Sequence, residues 1–379
     1  MLTHCNFLLL FLYDAVKMKQ CAAQALERDV MKSRKKWILD IAFLVIVIAA
    51  TIYGVFHDEN LTEIKSCLYQ AKTAWWIGGA VLVGLYIFCE AFILYYAMRP
   101  LQKCLKFLHC LFFACIGFFF TLITPMGIAG QPALVVAMKK DDISMTVSVP
   151  VLIVVTITFK SVLILFGLFV LLARPEPVYA LLAPALGWCW LGLVLNILFV
   201  AFLFVMIFEP LLIERPALAL ARWYAGKKHP EKAELWGERM RDALARYSSV
   251  ASYFKKHHNI IYGVFAITFV QRCMLFLVTY LSYRSFGLRA AGAPEIVTLQ
   301  AMISVAVEML PIPGGMGITE SLFLKIFASL CSAAKTLPVL IVSRGISYYV
   351  QLVLCGLLTV FSVFVLGKDR EARIGQEVK

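Results

Sequence analysis

Apolar runs long enough to cross about 30 Å of hydrocarbon, roughly 20 residues each, recur from one end of this chain to the other, and that recurrence limits what it can fold into. Residues 41–56, 75–97 and 145–173 are examples. No soluble core needs so many, and 61% hydrophobic against 16% charged residues lies outside the soluble range. The expectation is an all-α integral membrane protein, because a helix satisfies every backbone polar group within itself.

The formal net charge is +13, and the Lys and Arg residues sit mostly in short segments between apolar runs. They are not interleaved with aromatics as a nucleic-acid surface requires, so the pattern reads as positive-inside topology and no nucleic-acid partner is expected. The eleven cysteines are scattered singly, without CxxC or Cys/His spacing, which indicates neither a disulfide framework nor a zinc site.

Candidate membrane segments are 37–56, 75–97, 108–138, 146–173, 180–208, 259–283, 296–331 and 338–366. Residues 1–30 fit poorly: the apolar stretch 1–16 is too short to span and lacks a cleavage site, whereas Met31 opens a basic stretch that suits a cytoplasmic start. The first 30 residues therefore read as an upstream-start extension or an interfacial helix. The remainder divides into a first membrane half, 31–178, a second half, 179–367, with a cytosolic insert at 209–258, and a cytosolic tail at 368–379.

Basic stretches after Met31, at 99–106, at Lys139 and Lys140, within 209–258 and after Lys368 are all expected on the cytoplasmic side, with both termini there, in a bacterial inner membrane. Segment 108–138 then starts and ends inside, so it must enter and return, turning at Thr124 to Pro132. By the same parity 296–331 enters and returns from outside, turning at Pro311 to Gly317 around Gly314 and Gly315. The chain reads as a polytopic bundle with two re-entrant broken hairpins in an inverted-topology repeat. Paired Gly/Pro interruptions at matching places in two halves point to a transport site near the midplane. The alternative is that each segment is an ordinary kinked span with a short outer turn.

Gly130-Gln131-Pro132 reads as a helix start at depth, where free N–H groups and the helix dipole suit an anion such as a lipid phosphate. The second hairpin carries its own anion: Thr319 is expected to cap the helix and Glu320 lies in its first turn. Ionisable residues within apolar spans are costly and need a reason. They are Glu90, Lys160, Arg272, Glu308, Glu320 and Arg344, with Tyr348 and Gln351 spaced to share a helix face with Arg344. Three acids and three bases would neutralise one another in one polar centre, or serve as structural ion pairs between helices. Thr121 and Thr124 read as hydroxyls bonded within their own helix, and Lys325 as pointing outward. No GxSxG, HExxH, Walker A or dinucleotide fingerprint occurs, so no cofactor is expected.

The stretch Phe118 to Pro132, with Met138-Lys-Lys-Asp-Asp-Ile-Ser144 and Thr158-Phe-Lys160, resembles the first signature of the lysylphosphatidylglycerol synthase transmembrane family. Pro311 to Glu320 resembles the second and Ser343 to Tyr349 a third, and the resemblance spans about Lys32 to Gly367. One departure is Ala129-Gly130, where the family pattern has two adjacent glycines. The resemblance implies a flippase-type membrane domain that moves phosphatidylglycerol or lysyl-phosphatidylglycerol between leaflets. It also implies a cytosolic aminoacyl-transferase domain, not visible in this chain, so that a separate aminoacyl-lipid synthase becomes a possible partner. The alternatives are a phosphatidylglycerol lysyltransferase or its membrane subunit, and a transporter of another amphiphile or solute.

Overall fold

The computed structural model describes residues 66–365 apart from 67, 70, 102–104, 125–126, 128, 209–249, 251, 255, 311–314, 316 and 363–364. The expected span at 37–56, the N-terminal extension, Gly314, most of the cytosolic insert and the tail lie outside the described residues. Helices account for nearly all of the rest, and no strand occurs among the described residues.

In chain order the helices are α1 (Thr73–Met98), α2 (Phe107–Ile123), α3 (Gly130–Lys140), α4 (Met145–Ala173), a single turn α5 (Val178–Leu181) and α6 (Leu186–Phe208). They continue as α7 (His258–Ser285), α8 (Ala293–Val307), α9 (Ile318–Phe327) and α10 (Ala333–Arg344), which passes through a π-helical stretch, Gly345–Val350, into a helix reaching Ser362. Thr73–Met98, Met145–Ala173, Ala183–Val205, His258–Ser285 and Ala334–Ser362 are long and apolar enough to cross a membrane.

The other long segments are broken. At 1.5 Å per residue, α3 with 11 residues and α9 with 10 are about 15 to 17 Å long, half of a hydrocarbon layer. Each packs back against the arm before it, α3 on α2 and α9 on α8. The ends of the first hairpin meet, since His109 in the first turn of α2 and Asp141 just after α3 are 2.6 Å apart. Irregular backbone at the tips survives because its groups are satisfied locally. Gly127 N–H donates to Thr124 O, Ala129 N–H to Thr124 Oγ1 and Gly317 N–H to the Glu320 carboxylate.

The two hairpin units match at several positions. Gly127 and Gly315 sit at corresponding places in the two tips and both have φ of +66°, the left-handed region that only glycine enters freely. At the same sequence offset, Pro150 and Pro338 lie inside the helices that follow the hairpins. Their preceding spans, α1 and α7, pack along their length: Gly78 approaches Leu281, Gln271 reaches Tyr86 and Glu90, and Gly263 meets Tyr96. One residue number rises as the other falls, so α1 and α7 run antiparallel, which is the relation an inverted-topology repeat requires of equivalent spans.

Between helices that lipid would solvate equally well, close packing replaces the hydrophobic effect, and small residues set the approach. At the α6/α8 crossing a Cβ on Gly192 would fall 2.1 Å from the Val305 carbonyl oxygen. Beside it Asn196 Nδ2 donates to Gly192 O at 2.8 Å. In the first tip a Cβ on Gly130 would meet Thr121 Oγ1 at 1.9 Å. Gly130 is therefore required where the arms cross. Ala129, at φ −80° and ψ −13°, occupies a conformation open to any residue.

Candidate functional site

The six ionisable residues within the apolar segments fall into two centres rather than one, on either side of the tip of the second hairpin. Glu308 caps the C-terminal end of α8 before the tip, and Glu320 lies in the first turn of α9 after it.

The first centre draws on three helices. Lys160 of α4 and Arg272 of α7 are buried, with 7% and 6% of their surface exposed, and both face Glu308. Lys160 Nζ is 3.5 Å from Glu308 Oε2, and the nearest Arg272 nitrogen is 4.0 Å from Oε1. The Arg272 guanidinium lies 3.4 Å from the centroid of the Phe159 ring and 5.6 Å from that of Tyr86; Lys160 Nζ is 5.4 Å from the Phe159 centroid. Such cation–π contacts are strongest where water is excluded. Glu90 adjoins this network: Gln271 Nε2 donates to its Oε2 at 2.9 Å, and its carboxylate interacts electrostatically with Arg272.

The second centre is tighter. Arg344 Nε donates to Glu320 Oε1 at 2.7 Å, while the other Glu320 oxygen accepts the N–H of Gly317. Glu320 thus caps its own helix. The expected cap, Thr319, instead donates its hydroxyl to Gly315 O at 2.8 Å, because the chain enters α9 through Gly317 and Thr319 is already the second residue of the helix. Four residues beyond Arg344, Tyr348 Oη donates to Leu122 O at 2.8 Å, at the end of the opposite hairpin's long arm.

The repeat relates these contacts. Lys160 and Tyr348 occupy corresponding positions on the helices that follow the two hairpins, and each reaches across to the long-arm end of the other hairpin. Thr156 and Arg344 also correspond, and each meets the short arm of its own hairpin: Gln131 Nε2 lies 3.5 Å from Thr156 Oγ1. Gln131 is thereby placed one turn of α4 before Lys160. Pro132 is the third residue of α3, so the first turn of that helix lacks one donor without leaving an orphan.

Other expected site residues have local duties. Thr124 Oγ1 donates to Phe120 O at 2.6 Å and accepts from Ala129 N–H, tying the tip together. Gln351 is buried, but the π-helical turn widens the helical repeat between it and Arg344, so the simple i, i+7 face does not hold there. Lys325 is exposed. Phe159, Gln271 and Thr156 were not singled out from sequence. The i, i+4 spacing of Thr156 and Lys160 was available as a signal, whereas nothing local announces that Gln271 meets Glu90.

Fold and centre together define a polytopic α-helical membrane protein in which charged groups stand on both sides of the tip of a broken helical hairpin. The chain belongs to the family described as lysylphosphatidylglycerol synthase TM region, which it matches over residues 37–355. A comparison with curated proteins finds no match.

Proposed function

We propose that this protein moves a phospholipid between the leaflets of a bacterial cytoplasmic membrane, its termini on the cytoplasmic side, with phosphatidylglycerol or its lysyl derivative as substrate. The observation that carries the reading is the buried Lys160, Arg272 and Glu308 centre, where two cations share one carboxylate within an inverted repeat. The headgroup phosphate docks between the start of α3 at Gly130, Gln131 and Pro132 and the Lys160 ammonium, which Gln131 and Thr156 bring within one helical turn of each other. Glu320, Arg344 and Tyr348 govern the opposite hairpin and supply its counter-charge, with the tip glycine Gly315 allowing close approach of backbone. The acyl chains remain in lipid while the headgroup crosses. The family membership supports the lipid class, and a separate synthase supplying aminoacylated lipid is a partner consistent with it.

The test is dithionite quenching of fluorescent phosphatidylglycerol in proteoliposomes. Quenching beyond the outer-leaflet half that is lost in Lys160→Ala is the expected result. Quenching confined to that half, as in protein-free vesicles, overturns the proposal.

A further inference from the structure

The last span holds both hairpins by close contacts. Up to Arg344 it grips the second hairpin, through the 2.7 Å bond between Arg344 Nε and Glu320 Oε1. From Tyr348 onward it lies along α2, the long arm of the first. Tyr348 Oη donates to Leu122 O at 2.8 Å, a Cβ on Gly356 would stand 3.1 Å from Phe119 Cε2, the Cys355 and Cys115 thiols are hydrogen-bonded, and the Phe361 and Phe112 ring centroids are 6.1 Å apart. Numbers on the span rise as those on α2 fall, so the two helices run antiparallel with contacts along most of α2.

Where the two grips meet lies the π-helical stretch Gly345–Val350. Its i→i+5 turn is wider than an α-turn and holds about one residue more, and such turns interrupt α-helices mostly at functional positions. One face of the stretch has a bearing: Ile346 rests on Gly79 of α1, where a Cβ would come within 3.2 Å of two Ile346 side-chain carbons. Elsewhere it has room, since Tyr349 and Val350 are exposed and a Cβ on Gly345 would meet no atom within 4 Å. Helix α4 makes the equivalent double connection in the first repeat, to α3 through Thr156 and Gln131 and to α8 through Lys160 and Glu308, yet it is α-helical throughout. Those two contacts are 3.5 Å each, so α4 can give at its ends. The last span, bonded at 2.7 and 2.8 Å to the two hairpins, has to give in its middle when one hairpin moves against the other.

We infer that Gly345–Val350 is a hinge: the part of the last span before it moves with the second hairpin's short arm, the part after it stays on the first hairpin, and exchange between π and α turns changes the angle between the two hairpins. Hinges concentrate a change of shape in a few residues while the packed elements on either side keep theirs. For transport, the hinge opens and closes the two tips against each other; that consequence rests on the lipid-moving reading above, and the hinge itself does not.

The experiment measures distances by double electron–electron resonance in proteoliposomes containing phosphatidylglycerol, with spin labels carried on noncanonical amino acids so that the native cysteines stay in place. One pair, at Lys325 on α9 and Leu108 on α2, spans the hinge; the other, at Leu108 and Val353, lies on one side of it, and all three positions are exposed. Wild type is expected to give two distances for the first pair and one for the second. Deleting Ser347, which takes the extra residue out of the π turn, is expected to leave the first pair with one distance and to slow lipid movement about tenfold. Ser347→Ala, which loses only a hydroxyl bonded to Ser343 O in the same helix, is expected to keep both distances. A single distance for the first pair in wild type, two for the second, or a deletion variant that retains both overturns the inference. Should the deletion variant not fold, the wild-type distances decide alone. Two distances in a wild type that moves no lipid leave the hinge standing and overturn the proposed function.

Discussion

Arg344 on the last span and Glu320 at the start of the second hairpin's short arm share a 2.7 Å charge-assisted hydrogen bond, and the same carboxylate closes the N-terminus of its own helix. One side chain therefore fixes both the short arm's start and its distance from the neighbouring span. Removing either partner strands the other where water does not compensate it.

Glu320→Ala is accordingly expected to destabilise the protein by about 3 kcal/mol, and Arg344→Ala by a similar amount. In detergent, thermal unfolding of both single variants and the double variant checks this. The double variant should cost clearly less than the two singles added together, and simple additivity would show that the pair does not act as a unit.

At the tips, Gly127 and Gly315 hold φ of +66°, but their surroundings differ. A Cβ at Gly315 would stand 2.3 Å from Val307 Cγ1 and 2.6 Å from Thr319 Oγ1, whereas the nearest atom to one at Gly127 is Thr121 Cγ2 at 2.8 Å. Both alanine substitutions carry the left-handed backbone cost of about 1 to 2 kcal/mol, and Gly315→Ala adds the heavier clash. Its melting temperature should fall further than that of Gly127→Ala.

Where α6 crosses α8, Gly192 leaves room for nothing beyond a hydrogen atom, while a Cβ at Gly187 on the same helix meets no atom within 4 Å. Gly192→Leu is expected to abolish folded protein and Gly187→Ala to leave it unchanged. Size-exclusion profiles after membrane extraction separate the two, and equal profiles would contradict the packing described.

The Cys115 and Cys355 thiols are buried and hydrogen-bonded to each other, joining α2 to the last span. In a variant retaining only these cysteines, a membrane-permeant oxidant should form the internal disulfide. Cleavage at a protease site introduced between them, followed by a non-reducing gel, reports it. Two separate fragments would rule out this pairing of the first hairpin with the C-terminal span.

His109 and Asp141 meet at the mouth of the first hairpin, so both of its ends belong on one side of the membrane. Cysteines placed at Lys106 and Lys139 should label from the same face of sealed vesicles. Labelling from opposite faces would make 107–140 an ordinary kinked span and remove the re-entrant hairpin.

Much of the architecture was legible before any coordinates, since its causes are local. Apolar runs announce spans because hydrocarbon accepts only helices whose backbone is satisfied internally, and the arrangement of basic stretches together with the breaks at Thr124 to Pro132 and Pro311 to Gly317 predicts the hairpins. Buried charges stand out singly against such a background, which is why Lys160, Arg272, Glu308, Glu320 and Arg344 were all named from sequence. Their grouping was not legible. Lys160, Arg272 and Glu308 come from three helices, and which of them meet depends on crossings set by Gly192, Gly263 and Gly130, where a single Cβ decides how close two helices come. A sequence shows that a charge is buried and must find a partner; only packing in three dimensions selects Glu308 for Lys160, Glu320 for Arg344 and Gln271 for Glu90, because the partners lie far apart along the chain and the attraction between them acts only over the last few ångströms.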